Sequence, residues 1–95
     1  MPEVAFLGCI CTGHGCFPPR ECDTASGDVF VEGNPVHRQT DHWVLHVCKK
    51  NVHDSILAGG SGTVFVNGLS IGRVGDPIAC GSSIMTGAAT VFAGG

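Results

Sequence analysis

A chain of 95 residues and 9.7 kDa has material for one small domain, 1–95, because folding at this length buries little more than ~60% of the surface exposed by the unfolded form. Its 15 glycines are about twice the usual share of ~7% and argue against a helical bundle, since glycine gives up extra backbone entropy in a helix. A net charge of -3 with only five Lys and Arg provides no basic patch for a phosphate backbone, which excludes nucleic acid as a partner. No apolar run approaches the ~18 residues of a membrane span, and Met1-Pro2-Glu3 lacks the positive start of a secretory signal, so synthesis in a cytoplasm is expected.

In chain order, the first chemical motif is His14-Gly15-Cys16. Residues 26–38, SGDVFVEGNPVHR, then align with residues 61–73, SGTVFVNGLSIGR, at seven of thirteen positions, and Asp41 and Asp76 follow the two arginines at the same distance. Thr90-Val91-Phe92-Ala93-Gly94 echoes Thr63-Val64-Phe65-Val66-Asn67, which reads as a third, truncated copy. In each copy the β-formers Val29-Phe30-Val31 and Val64-Phe65-Val66 run into Glu32-Gly33 and Asn67-Gly68, so strand, tight turn and strand are predicted. Between the first two copies, residues 36–58 hold neither Gly nor Pro, yet His42, Val44, His46 and Cys48 alternate with Trp43, Leu45 and Val47. Period two predicts a strand with imidazoles and a thiol on one face and the apolar set on the other. The expected fold is all-β: short hairpins in a pseudo-threefold arrangement, with the valines at 29, 31, 64, 66 and 91 shared between core and base.

Six cysteines and five histidines are many for so small a domain without a secretory signal, and they point to metal ahead of disulfides. Zinc takes four ligands from imidazole nitrogen and thiolate sulfur. His14-Gly15-Cys16 and His46-Val47-Cys48 share a pattern, Cys80 falls close to the place of His46 in its own copy, and His53 returns the chain toward the same end. The candidate ligands are therefore His14, His46, His53 and Cys80, with His42 the competitor of His46 because the two would share a face. His37 reads as a surface or hydrogen-bonded histidine, since its counterpart is Gly72. Cys9 and Cys11 read as buried small apolar groups, while Cys16, Cys22 and Cys48 remain open to disulfide formation.

Gly75-Asp76-Pro77-Ile78-Ala79-Cys80-Gly81-Ser82, preceded by Gly62-Thr63-Val64-Phe65-Val66-Asn67-Gly68 and Arg73, resembles the PAAR-repeat family. The resemblance extends to Thr12-Gly13-His14-Gly15-Cys16-Phe17-Pro18-Pro19-Arg20 and to Pro35-Val36-His37-Arg38 followed by Trp43, His46, Cys48 and His53, as in its short phage and prophage branch. The namesake tetrapeptide stands here as Pro35-Val36-His37-Arg38 and Ser70-Ile71-Gly72-Arg73. What the resemblance implies is a small β cone with one structural zinc near its vertex, held by three histidines and one cysteine. Such a cone caps the trimeric β-helical spike of a type VI secretion system or a contractile phage tail, a VgrG-like or tail-spike protein.

A non-enzymatic spike tip is thus expected, one copy per trimer, that pierces a membrane without residing in it and offers a place for effector attachment. It would be assembled at the tip of the secretion or phage-tail spike and delivered outside the cell or into a target cell, with no toxin domain fused to it. A narrow point leaves no room for a thick apolar core, so zinc is expected to stand in for one. The alternatives are a disulfide-stapled secreted module and a small zinc or thiol hydrolase. Against hydrolysis, none of Glu3, Glu21 and Glu32 sits in a His-Glu-x-x-His motif, and a closed four-ligand site leaves no position for substrate.

Overall fold

In a computed structural model, residues 1–13 and 15–94 are described, with only the backbone at 46, 51 and 53. Six strands form among them and no helix: β1 (Phe30–Val31), β2 (Asn34–Pro35), β3 (His42–Cys48), β4 (Asn51–Ile56), β5 (Phe65–Val66) and β6 (Leu69–Ser70). They pair as three antiparallel hairpins, β1–β2, β3–β4 and β5–β6. The turns of the first and third place both central residues at positive φ, 51° at Glu32 and 80° at Gly33, 54° at Asn67 and 79° at Gly68. That geometry matches the twist of the flanking strands. Asn67 tolerates it readily, whereas Glu32 adopts it against its preference.

The third copy is not truncated, as the sequence suggested; the chain start completes it. Val4 N–H donates to the Val91 carbonyl at 2.9 Å, as Val36 N–H does to Val29 and Ile71 N–H to Val64, both at 3.0 Å. Glu3 opposes Phe92 as Pro35 opposes Phe30 and Ser70 opposes Phe65. The two ends of the chain, joined by an isolated antiparallel bridge, therefore stand in the place of a third Val-Phe hairpin, a pairing that periodicity within a continuous segment could not reveal.

The three copies meet through their backbones. Ala5 N–H donates to the Gly72 carbonyl at 2.8 Å, Gly72 N–H to His37 at 2.9 Å, and His37 N–H to Ala5 at 3.1 Å, a closed cycle of three hydrogen bonds. All three residues are inaccessible or nearly so. Three similar turns follow, in which Cys9, Asp41 and Asp76 N–H donate to the carbonyls of Phe6, Arg38 and Arg73, each at 3.0 Å. Each copy thus enters the ring from its hairpin and leaves it through a tight turn into an arm, spanning 10–21, 42–56 or 77–83. The arms close at their bases by the pairings Ile10 with Glu21, His42 with Ile56 and Pro77 with Ser83. The body measures 37 × 24 × 21 Å.

Two apolar clusters flank the ring. Val4, Val31, Val36, Val66, Ile71, Ala88 and Ala93 pack beneath the hairpins, and Ala5, Cys9, Cys11, Cys22, Trp43, Leu57, Ile78 and Ile84 pack below the arms. Packing of the ordinary kind is therefore present, and the expectation that a metal must replace it is corrected to that extent. The valines divide: Val31 and Val66 are buried, while Val29, Val64 and Val91 stand more than a third exposed. In β3 the expected apolar face fails beyond Trp43. Register shifts between Trp43 and His46, so Trp43 is buried while Leu45 and Val47 face out.

Candidate functional site

The arms are tied to each other in the same cyclic sense as the ring. Thr12 N–H donates to the Ser83 carbonyl at 2.8 Å, Ala79 N–H to Ile56 at 3.0 Å, and Val44 N–H to Glu21 at 3.0 Å. A disulfide joins Cys16 of the first arm to Cys48 at the end of β3, with Cα atoms 5.7 Å apart. Of the three cysteines left open by the sequence, Cys22 takes no part. It is a buried thiol that burial pushes up to about 12, and Cys9, also buried, is raised for the same reason.

His14 lies outside the described residues, as do the side chains of His46 and His53. The backbone nonetheless gathers their segments. His46 and His53 are direct cross-strand partners in β3–β4. The disulfide anchors the chain two residues beyond His14 to the chain two residues beyond His46. Cys80 N–H donates to Ser55 Oγ at 2.9 Å, which fastens the third arm two residues from His53. Among the described residues alone, no group of three His, Cys, Asp or Glu forms a metal site.

The Cys80 thiol borders an open cleft of about 330 Å³ shared with Val52, Asp54, Ser55 and Ala79. Burial works against its ionisation, but hydrogen bonds with Ser82, whose Oγ lies 3.4 Å from Sγ, and with Ser55 outweigh it and lower its pKa. A thiol biased toward thiolate, beside a strand carrying imidazoles, fits the donor chemistry of zinc. His42 is engaged otherwise. Its Nδ1 lies 2.7 Å from Asp23 Oδ1 and its Nε2 meets Asp54 Oδ1, and these hydrogen bonds raise its pKa. His37, expected as a surface or hydrogen-bonded residue, is fully buried, with Nδ1 3.0 Å from the Thr24 carbonyl.

Around the hairpins, side chains link one copy to the next. Asn67 donates to Asp28 at 2.8 Å and accepts from Ser26 at 2.7 Å and Arg38 at 3.0 Å. Gly94 O accepts from Ser61 and, at 3.0 Å, from Arg73. Glu32 accepts from the Thr90 N–H at 2.9 Å and from its hydroxyl. Outside these links stand Phe30, Phe65 and Phe92, 56%, 57% and 48% exposed, at matching positions of the three hairpins. The sequence reading passed over them as strand formers, although the aligned Val-Phe pairs were the signal: a phenylalanine kept in three copies and paired outward in each is unused by the core.

The PAAR motif family model matches residues 12–86, which takes in all six strands, and the chain belongs to that family. The family comprises spike-tip structural proteins that sit on VgrG-like spikes. No curated protein matches the chain.

Proposed function

We infer that this protein is a non-enzymatic, zinc-stabilised conical tip that caps one trimeric VgrG-like or phage tail-spike β-helix, sharpens it for passage through a membrane, and provides a surface for effector attachment. The observation that carries the reading is the repeated exposure of Val29-Phe30, Val64-Phe65 and Val91-Phe92 on three hairpins linked side by side. Exposed strand ends with apolar side chains are a liability in an isolated domain and a docking surface for a partner that continues the strands. A pseudo-threefold base on a single chain suits the blunt end of three identical strands, one copy per trimer.

At the other end, His14, His46, His53 and Cys80 would hold the zinc. When bound, it supplies a tetrahedral cross-link among the three arms, and such sites contribute roughly 10–16 kcal/mol of apparent binding energy. Ser55 and Ser82 hold the Cys80 thiol in place, and Asp23 and Asp54 keep His42 turned to its own ion pair. Native mass spectrometry of the tip with a purified trimeric spike is expected to show one chain per trimer, with binding lost in Phe30→Ser/Phe65→Ser/Phe92→Ser. Three tips per trimer, or full binding by the triple variant, would refute the docking surface.

A further inference from the structure

Among the described residues, the β3–β4 hairpin is the longest regular element and the only arm built from paired strands of more than two residues. Its ladder sets Val47 opposite Val52, and both are exposed, at 46% and 56%. Leu45 lies two residues before Val47, and Ile56 lies four after Val52, on the matching sides of their strands; they are 44% and 42% exposed. Four aliphatic side chains on one arm thus meet solvent. The spike-docking surface does not use them, since it is formed by the other hairpins.

Charge gives this face a direction. Lys49 and Lys50 form the turn of the hairpin and both are exposed. Elsewhere the chain has seven acidic residues against Arg20, Arg38 and Arg73, and Arg38 and Arg73 are committed to Asp41 and Asp76. Within 42–56 two lysines face one acid, Asp54, which lies between Val52 and Ile56 on the same side of β4, 71% exposed, and pairs with His42. The hairpin is therefore a cationic, apolar projection on an otherwise acidic body. Aliphatic side chains flanked by lysines match an anionic bilayer surface, where the chains enter the acyl boundary and the ammonium groups stay with the phosphates.

We propose that the Leu45/Val47/Val52/Ile56 face of the β3–β4 hairpin, with Lys49 and Lys50 at its turn, is a lipid-contacting surface for membranes containing anionic phospholipid. This deepens the spike-tip reading by naming the element that first meets the membrane. The test is flotation of the full chain with vesicles of phosphatidylcholine and phosphatidylserine, and with vesicles of phosphatidylcholine alone. Co-flotation is expected with the anionic vesicles and is expected to weaken with added salt.

At about fivefold per lysine, Lys49→Gln/Lys50→Gln should lower the partition coefficient about 25-fold, and Val52→Ser about tenfold. Phe65→Ser, on the opposite docking surface, should leave it unchanged. Far-ultraviolet dichroism on every variant, and spike binding on the β3–β4 variants, confirm that the fold persists. The proposal is overturned if neither vesicle binds, if partition is indifferent to lipid charge and to the hairpin variants, if Phe65→Ser abolishes it, or if Val52→Ser instead dissociates a dimer of the free protein. Spike binding is read separately, so loss of lipid contact with spike binding intact would remove this proposal and leave the spike-tip reading standing.

Discussion

Asp41→Asn isolates the contribution of the carboxylate that closes the first copy's turn. Asp41 accepts the Arg38 backbone N–H at 2.8 Å, Arg38 Nε at 2.9 Å and Nη2 at 3.0 Å, and the Thr24 hydroxyl at 3.2 Å. Its side chain is 7% exposed and that of Arg38 18%. Burial alone would raise the Asp41 carboxyl, yet hydrogen bonds and charge from Arg38 lower it. Breaking a buried pair from one side costs about 3–5 kcal/mol, because the partner's charge is left uncompensated. The partly open guanidinium puts this case near the lower figure, about 3 kcal/mol, equivalent to a fall in Tm of about 12–24 °C for a domain of this size.

The sign with pH follows from the depressed value: the contribution is present above the unfolded carboxylate pKa of about 3.9 and is lost as pH falls through the folded value. Urea titrations of wild type and variant at neutral pH, repeated in acid, should therefore converge as the pH drops below about 4. A neutral-pH difference under about 0.5 kcal/mol, within the range of an ordinary surface change, would show that the carboxylate serves only the local turn and that the ion pair adds nothing.

Thr40 is a β-branched residue at φ 77°, where the second copy has Gly75 at 92°; Thr40→Gly should relieve about 1–2 kcal/mol of backbone strain against about 0.5–1 kcal/mol of glycine entropy, and a net loss in a urea titration would refute this. The raised pKa of His42, held by Asp23 and Asp54, contributes stability that is full below the unfolded value of about 6.5 and disappears as pH rises through the folded value. The site is 34% exposed, so wild type should exceed His42→Gln by well under 1 kcal/mol below the unfolded value and match it once the pH has passed the folded one, as paired urea titrations at several pH values would check. If the proposed zinc is bound, a chelator should lower Tm sharply and mobilise the arms before the hairpins; Cys80→Ser should reproduce this and lose metal in elemental analysis, while His42→Gln should retain it.

The hairpin composition was legible because β-formers followed by Asn67-Gly68 leave little conformational choice, and the aligned copy carries the same reading to Glu32-Gly33. The β3–β4 hairpin followed from alternation, but the register shift after Trp43 did not, since a single displaced residue reverses the facing of all that follow. The complete third copy was invisible for a different reason: its two strands are at Glu3-Val4 and Val91-Phe92, and no local pattern joins residues that far apart. Phe6 and Cys9 occupy the places of Arg38 and Asp41, and Cys9 Sγ accepts the Phe6 N–H at 3.3 Å as the carboxylate does elsewhere. A search for the Arg-x-x-Asp signature passes over that substitution. Of the candidate site, the arms and their convergence follow from the repeat, whereas the disulfide partner of Cys16 depended on how the first arm folds back.

The ring at the centre explains why three copies in one chain have diverged where their backbones agree most closely. Its positions hold Ala5, His37 and Gly72, joined by equivalent hydrogen bonds. A Cβ at Gly72 would lie 2.8 Å from Leu57 Cδ2, 3.0 Å from the His37 carbonyl and 3.4 Å from His37 Cδ2, so the space beside Gly72 is already taken by Leu57 and by His37, which packs edge-on against Trp43 with ring centroids 5.1 Å apart. A true homotrimer must put the same side chain at all three positions, and imidazoles at all three would not fit where Leu57 and the His37 carbonyl already crowd a single added carbon at Gly72. Covalent fusion of the copies removes that constraint: one position can be large if another is empty. The same freedom lets the three arms differ in length and in sequence, so a base proposed for a symmetric partner can coexist with an end that has none of its symmetry.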